Sequence, residues 1–89
     1  MLNLPEIVTK EQEDEFFRNI SCNIKKIRKN KKMSQLEVAL SIGQQSSGFY
    51  AHLENYAHGK HFNLGHLLRL SVLFEVPIEE FFKVNEEET

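Results

Sequence analysis

Residues Ser34–Asn55 read SQLEVALSIGQQSSGFYAHLEN, and the punctuation of this stretch decides the fold. Ser34 can accept from a backbone N–H three residues on, and Glu37 stands where its carboxylate can reach back, the two halves of a capping box. A short helix is therefore expected from Gln35 to about Ile42. Gly43 stops it, because glycine enters the left-handed region at no steric cost. After the Gln44-Gln45 pair, Ser46 can cap another helix running to about Tyr56, with Tyr50 and Leu53 on one face and Phe49 flanking it. This helix carries its smallest residues first, Ser46, Ser47 and Gly48, and its bulk later. Ordinary capping chemistry and close approach to a large ligand both account for that order.

Outward from this stretch the pattern stays helical. Thr9 and Gln12 have the capping-box form, and Phe16, Ile20, Ile24 and Ile27 recur at helical spacing. They predict a helix from about Lys10 to Asn30, with Ser21 the point at which it would break and Arg18, Lys25, Lys26 and Lys29 on the opposite face. Downstream, Asn63 caps a fourth helix from Leu64 to Glu75, with Leu64, Leu67, Leu68 and Phe74 facing inward. Pro77 then opens a fifth, to Val84, burying Ile78 and Phe81. No strand or repeat is legible. The expected fold is all-α, a compact five-helix bundle: residues 1–17 an acidic, partly helical extension, 18–84 the folded domain, and 85–89 a frayed acidic tail.

Eighty-nine residues, 40% hydrophobic and 27% charged, suit one soluble domain with a single modest core. Cys22 is the sole cysteine, so no intrachain disulfide can form and a reducing, cytoplasmic setting is expected. No apolar run reaches membrane-spanning length, and the N-terminus lacks the basic start and apolar centre of a secretory signal. The net charge of -2 conceals a strong segregation. Met1–Phe17 sets one lysine against five carboxylates, and Glu75–Thr89 sets Lys83 against six. Between them, Arg18–Phe74 sets nine Lys and Arg against Glu37 and Glu54, a net +7. Solvated helix faces would give such charges; so would a polyanion site whose acidic flanks limit indiscriminate binding.

Two short helices joined at Gly43 form a candidate helix-turn-helix, in which the second helix enters the DNA major groove. IKKIRKNKKMSQLEVALSIG (24–43) resembles the first two helices of the Cro/XRE-type, phage-repressor-like helix-turn-helix family, and NLGHLLRLSVLFEVPIEEFF (63–82) resembles its last two. The resemblance covers about Ile20 to Phe82 and is most specific at Ser34-Gln35, Val38-Ala39 and Ile42-Gly43. It implies a sequence-specific, usually dimeric DNA-binding domain. It also implies that Gln35 contacts phosphate, that Arg28 and Glu54 form a partly buried ion pair, and that the start of the recognition helix faces the bases. Ser46, Ser47 and Gly48 would then let the backbone come close, Gln44 or Gln45 would pair with adenine, and His52 and Asn55 would follow on the same face. Lys31, Lys32 and Lys60 are expected nearest the phosphates. The chain departs from the family pattern in a turn about one residue longer before Glu54 and a loop about two residues longer after it.

Leu36 and Leu40, four apart on one helix face, either pack around Phe16 and Phe17 or form a patch for a second subunit or partner. Phe82 and Val84 are alternative dimer contacts. Cys22, one turn from Arg18, Lys25 and Lys26, fits a redox switch and equally a small residue on a polar face. His58 and His61 form an i, i+3 pair across a glycine loop, with no thiolate or carboxylate nearby to complete a metal site, so they are read as loop residues facing the DNA backbone. No phosphate-cradling loop, nucleophile elbow or metal triad suggests an enzyme, and no cofactor is expected. The sequence reads as a double-stranded DNA-binding transcriptional regulator, a repressor acting as a homodimer. The rival reading is a protein-interaction module, such as an antitoxin or accessory subunit.

Overall fold

The structure, a computed structural model, describes residues 7–84; the acidic tail and the first six residues of the extension lie outside the described residues. Local capping explains where each helix starts. Thr9 Oγ1 accepts from the Gln12 N–H at 3.0 Å and Gln12 Oε1 accepts from the Thr9 N–H at 2.8 Å, opening α1, Lys10–Asn30. Ser34 and Glu37 repeat this at 3.0 and 2.7 Å ahead of α2, Gln35–Ser41. Ahead of α3, Ser47–Glu54, only the forward half is made: Ser46 Oγ accepts from the Phe49 N–H at 3.3 Å. Asn63 and His66 close a third box ahead of α4, Leu64–Phe74.

Helix ends are equally regular. At the end of α2 the Gly43 N–H donates to Leu40 O at 3.1 Å and the Gln44 N–H to Ala39 O at 2.8 Å, with Gly43 at φ 88°. Lys32, at φ 59°, closes α1 in the same way, and Glu75, at φ 60°, closes α4. Both place a Cβ where glycine is preferred.

Four α-helices are found among the described residues, not five. The segment after Pro77 is a 3-10 helix, Ile78–Phe82, which turns extended at Lys83. Side chains of α1 explain why it goes no further. Asn23 Nδ2 donates to Phe81 O at 2.9 Å and to Lys83 O at 2.7 Å, and Asn19 Nδ2 donates to Lys83 O at 3.0 Å. These carbonyls are thereby committed outside a helical ladder. A second short 3-10 turn, Ala57–Gly59, interrupts the loop between α3 and α4.

The core gathers Ile20 and Ile24 of α1, Val38, Ala39 and Ile42 around α2, and Tyr50 and Leu53 of α3. Phe62, Leu67, Leu70, Phe74 and Phe81 complete it. At roughly 1.5–3 kcal/mol for each large side chain withdrawn from water, this cluster supplies the main drive to fold. α1 is continuous through Ser21, which is buried and donates its hydroxyl to Leu53 O at 2.8 Å instead of breaking the helix.

Several inward assignments need correction. Leu64 and Leu68 are 80% and 62% exposed, while Leu70, not expected inside, is fully buried. Apolar residues ring most of α4, so their spacing alone does not fix its rotation; the contacts of Leu67, Leu70 and Phe74 do. Of the two expectations for Leu36 and Leu40, their exposure of 50% and 58% goes with the surface patch and not with packing around Phe16 and Phe17. Phe16 is itself exposed, with its ring against Phe17 and Phe82.

Candidate nucleic-acid interface

α3 is fixed from behind by one carboxylate. Glu54, buried at its C-terminal end, accepts from Arg28 Nε at 2.7 Å and Arg28 Nη2 at 3.0 Å, from the Tyr50 hydroxyl at 2.8 Å and from Gln35 Nε2 at 3.0 Å. Arg28 spends a further N–H on Met33 O at 2.9 Å, which ties α1, the turn into α2, and α3 to a single guanidinium. Burial pushes the Glu54 carboxyl up, but the bonds from Arg28, Gln35 and Tyr50 outweigh it and hold the group below its ordinary value. Burial and the adjacent Glu54 charge push the Tyr50 phenol up, so it remains a donor. Among the described residues no buried side-chain polar atom lacks a hydrogen-bond partner.

With α3 anchored, its other side is free. Gly48, His52 and Asn55, spaced four and three apart on one helix face, are exposed, as are Gln45 and Ser46 just before them; Ser47 is half-buried. Lys31 and Lys32 are exposed in the turn before α2, and Lys60 is exposed in the loop after α3. Two expected contacts are engaged internally. The Gln35 amide nitrogen lies on Glu54, not turned out toward a phosphate. The Gln44 amide sits 3.0 Å from His66 Nε2. The atom placed there is Gln44 Nε2, but because His66 Nδ1 accepts from the Asn63 N–H, neutral His66 carries its proton on Nε2, and this hydrogen bond requires the Gln44 amide to be turned over so that its oxygen accepts. Burial, with the neighbouring Arg69 charge, lowers the His66 pKa and favours this neutral form.

The histidines of the long loop divide. His58 lies edge-on to His52 with ring centroids 5.4 Å apart, which brings the loop onto the exposed side of α3, whereas His61 stacks on Phe17 at 3.9 Å. Among the described residues no group of three or more His, Cys, Asp or Glu could hold a metal, and no helix is long and apolar enough to cross a membrane.

Phe49 is a residue that sequence reasoning assigned to the flank of the core. It is 41% exposed on the first turn of α3, beside Gly48. Its neighbour Tyr50 takes the core position; one residue of helical rotation, about 100°, separates an inward from an outward ring.

Two short helices joined through a left-handed glycine, the second pinned by a buried ion pair and open along its other face, define a helix-turn-helix domain. The family model for the helix-turn-helix of Cro/XRE type matches residues 24–81, and the chain belongs to this family of DNA-binding regulators. Neither a curated protein nor a solved structure matches it. The match starts at Ile24, so the first fourteen residues of α1 lie outside it.

Proposed function

We propose that the chain is a sequence-specific, double-stranded DNA-binding transcriptional regulator, a repressor acting as a homodimer, with α3 as its major-groove recognition helix. The observation that carries this reading is Gly48. A Cβ built there would meet only Ser46 Oγ, at 4.0 Å, and its φ is not in the left-handed region. Packing and backbone therefore do not require glycine, although glycine within a helix costs about 1 kcal/mol relative to alanine. A bare backbone on the exposed first turn is useful to a ligand that must come close, and the unpaired N–H groups of that turn suit a phosphate or base edge.

Around Gly48 the exposed groups have the chemistry of base readout. Gln45 and Asn55 carry amides that match adenine, and Ser46 and His52 supply further donors and acceptors. Phe49 fits the C5-methyl of thymine. Ser47 contributes its hydroxyl from a half-buried position, and Lys31, Lys32 and Lys60 supply charge toward phosphates. Gln35 and Gln44 act through the protein: Gln35 steadies Glu54, and Gln44 links the turn to His66.

Selection of bound duplexes from a random library at physiological salt tests the reading. A palindromic motif with half-sites about one helical turn apart is expected, and replacing its thymines with deoxyuracil should weaken wild type but not Phe49→Ala. Absence of enrichment would overturn it in favour of a protein-interaction module. That second reading draws on the exposed Leu36 and Leu40 and on Leu64, Leu68 and Val72, an exposed apolar row along α4. A groove between Ser41 and Leu68, Arg69, Val72 and Leu73 adjoins that row.

A further inference from the structure

The loop between α3 and α4 holds two non-glycine residues in the left-handed region, Tyr56 at φ 52° and His58 at φ 56°. Such conformations persist only where surrounding contacts over-determine them. At Tyr56 the contacts come from the part of α1 that precedes the family match. The Tyr56 hydroxyl donates to Asp14 Oδ1 at 2.7 Å, and Lys10 donates to the same oxygen at 2.7 Å. Phe17 stacks on Tyr56 at 6.0 Å and on His61 at 3.9 Å, gripping the loop on both sides of the Ala57–Gly59 turn. The Arg18 guanidinium carbon lies 5.3 Å from the Tyr56 ring centre. At its far side the loop meets α3 through His58 and His52.

We propose that the N-terminal half of α1 is a positioning element for this loop, with Phe17 and Asp14 as its positioning residues, and that it sets Lys60 and His58 against the phosphates flanking the recognition helix. The inference rests on the DNA-binding reading above and names a determinant of the same site. It joins the loop that is longer than the family pattern to the part of α1 that precedes the family match: the lengthened loop needs a support, and the first helix provides it.

Two measurements on the full chain separate the brace from the DNA reading. Amide hydrogen exchange at Lys60, whose N–H donates to Ala57 O at 3.0 Å, reports the loop without DNA. Phe17→Ala is expected to speed it at least tenfold, and Phe17→Tyr to restore it; unchanged exchange overturns the brace. Binding of the selected duplex is then titrated against salt. Phe17→Ala should weaken it about tenfold or more and lower the log–log salt slope by about one, the signature of one lost phosphate contact. Faster exchange with unaltered affinity and slope overturns the positioning role. Failure of wild type to bind any duplex overturns the DNA reading and the loop's role in it, while the exchange result still decides the brace. If Phe17→Ala does not fold, Tyr56→Phe, which removes only the bond to Asp14, undergoes the same comparisons with the same deciding outcomes.

Discussion

Replacing Arg28 with alanine leaves the Glu54 carboxylate buried against Tyr50 and Gln35 with its cation removed. Breaking such a pair from one side costs about 3–5 kcal/mol. At roughly 4–8 °C per kcal/mol for a domain of this size, the melting temperature of Arg28→Ala should fall by at least about 12 °C; an unchanged melt would contradict the assignment. Gly48→Ala should move the other way in stability, by about 0.5–1 kcal/mol upward, while weakening duplex binding. A variant both more stable and equally tight would remove the argument from close approach. His66 gives a pH dependence. Its folded pKa lies below the ordinary 6.5, so as pH falls under 6.5 the unfolded chain takes up a proton that the folded one resists. Stability from this group is present above 6.5 and declines below it. Thermal melts between pH 7.5 and 5 should show that decline, and His66→Gln should flatten it.

Capping chemistry made the elements legible: Thr9, Ser34, Ser46 and Asn63 each open a helix where the sequence places one, and Gly43 closes α2. Helix rotation was less readable. Leu64 and Leu68 look as buried as Leu67 and Leu70 in a segment that is apolar nearly all round, and only tertiary contact separates them. In the site, the Arg28–Glu54 pair could be placed by resemblance, but the inward turn of Gln35 and Gln44 depends on Glu54 and His66, which are 19 and 22 residues away. The left-handed ends at Lys32 and Glu75 carry no sequence signal, since nothing in a lysine or a glutamate announces a positive φ. Glu75→Gly should relieve that conformation and raise stability by about 1 kcal/mol, read as a melting point several degrees higher; a lower one would mean that the Glu75 side chain has a stabilising role of its own.

At the scale of the whole molecule, charge segregation and exposed leucines make separate demands. If Leu36 and Leu40 carry the homodimer, sedimentation should show a dimer for wild type and a monomer for Leu36→Glu/Leu40→Glu; a dimer surviving that change would direct attention to Leu64, Leu68 and Val72 or to Phe82 and Val84. α3 is tethered to α1 by the Ser21 bond to Leu53 O and by the Arg28 grip on Glu54, and just beyond its end Tyr56 is stacked on Phe17. If α3 is the recognition helix, these ties at its C-terminal end, with Tyr50 and Leu53 packed in the core, leave it little freedom to pivot toward an imperfect site. Any adjustment at the interface would then fall to the nucleic acid. Operators with pliant pyrimidine–purine steps between their half-sites would be bound more tightly than stiff ones, even at base pairs that no side chain touches.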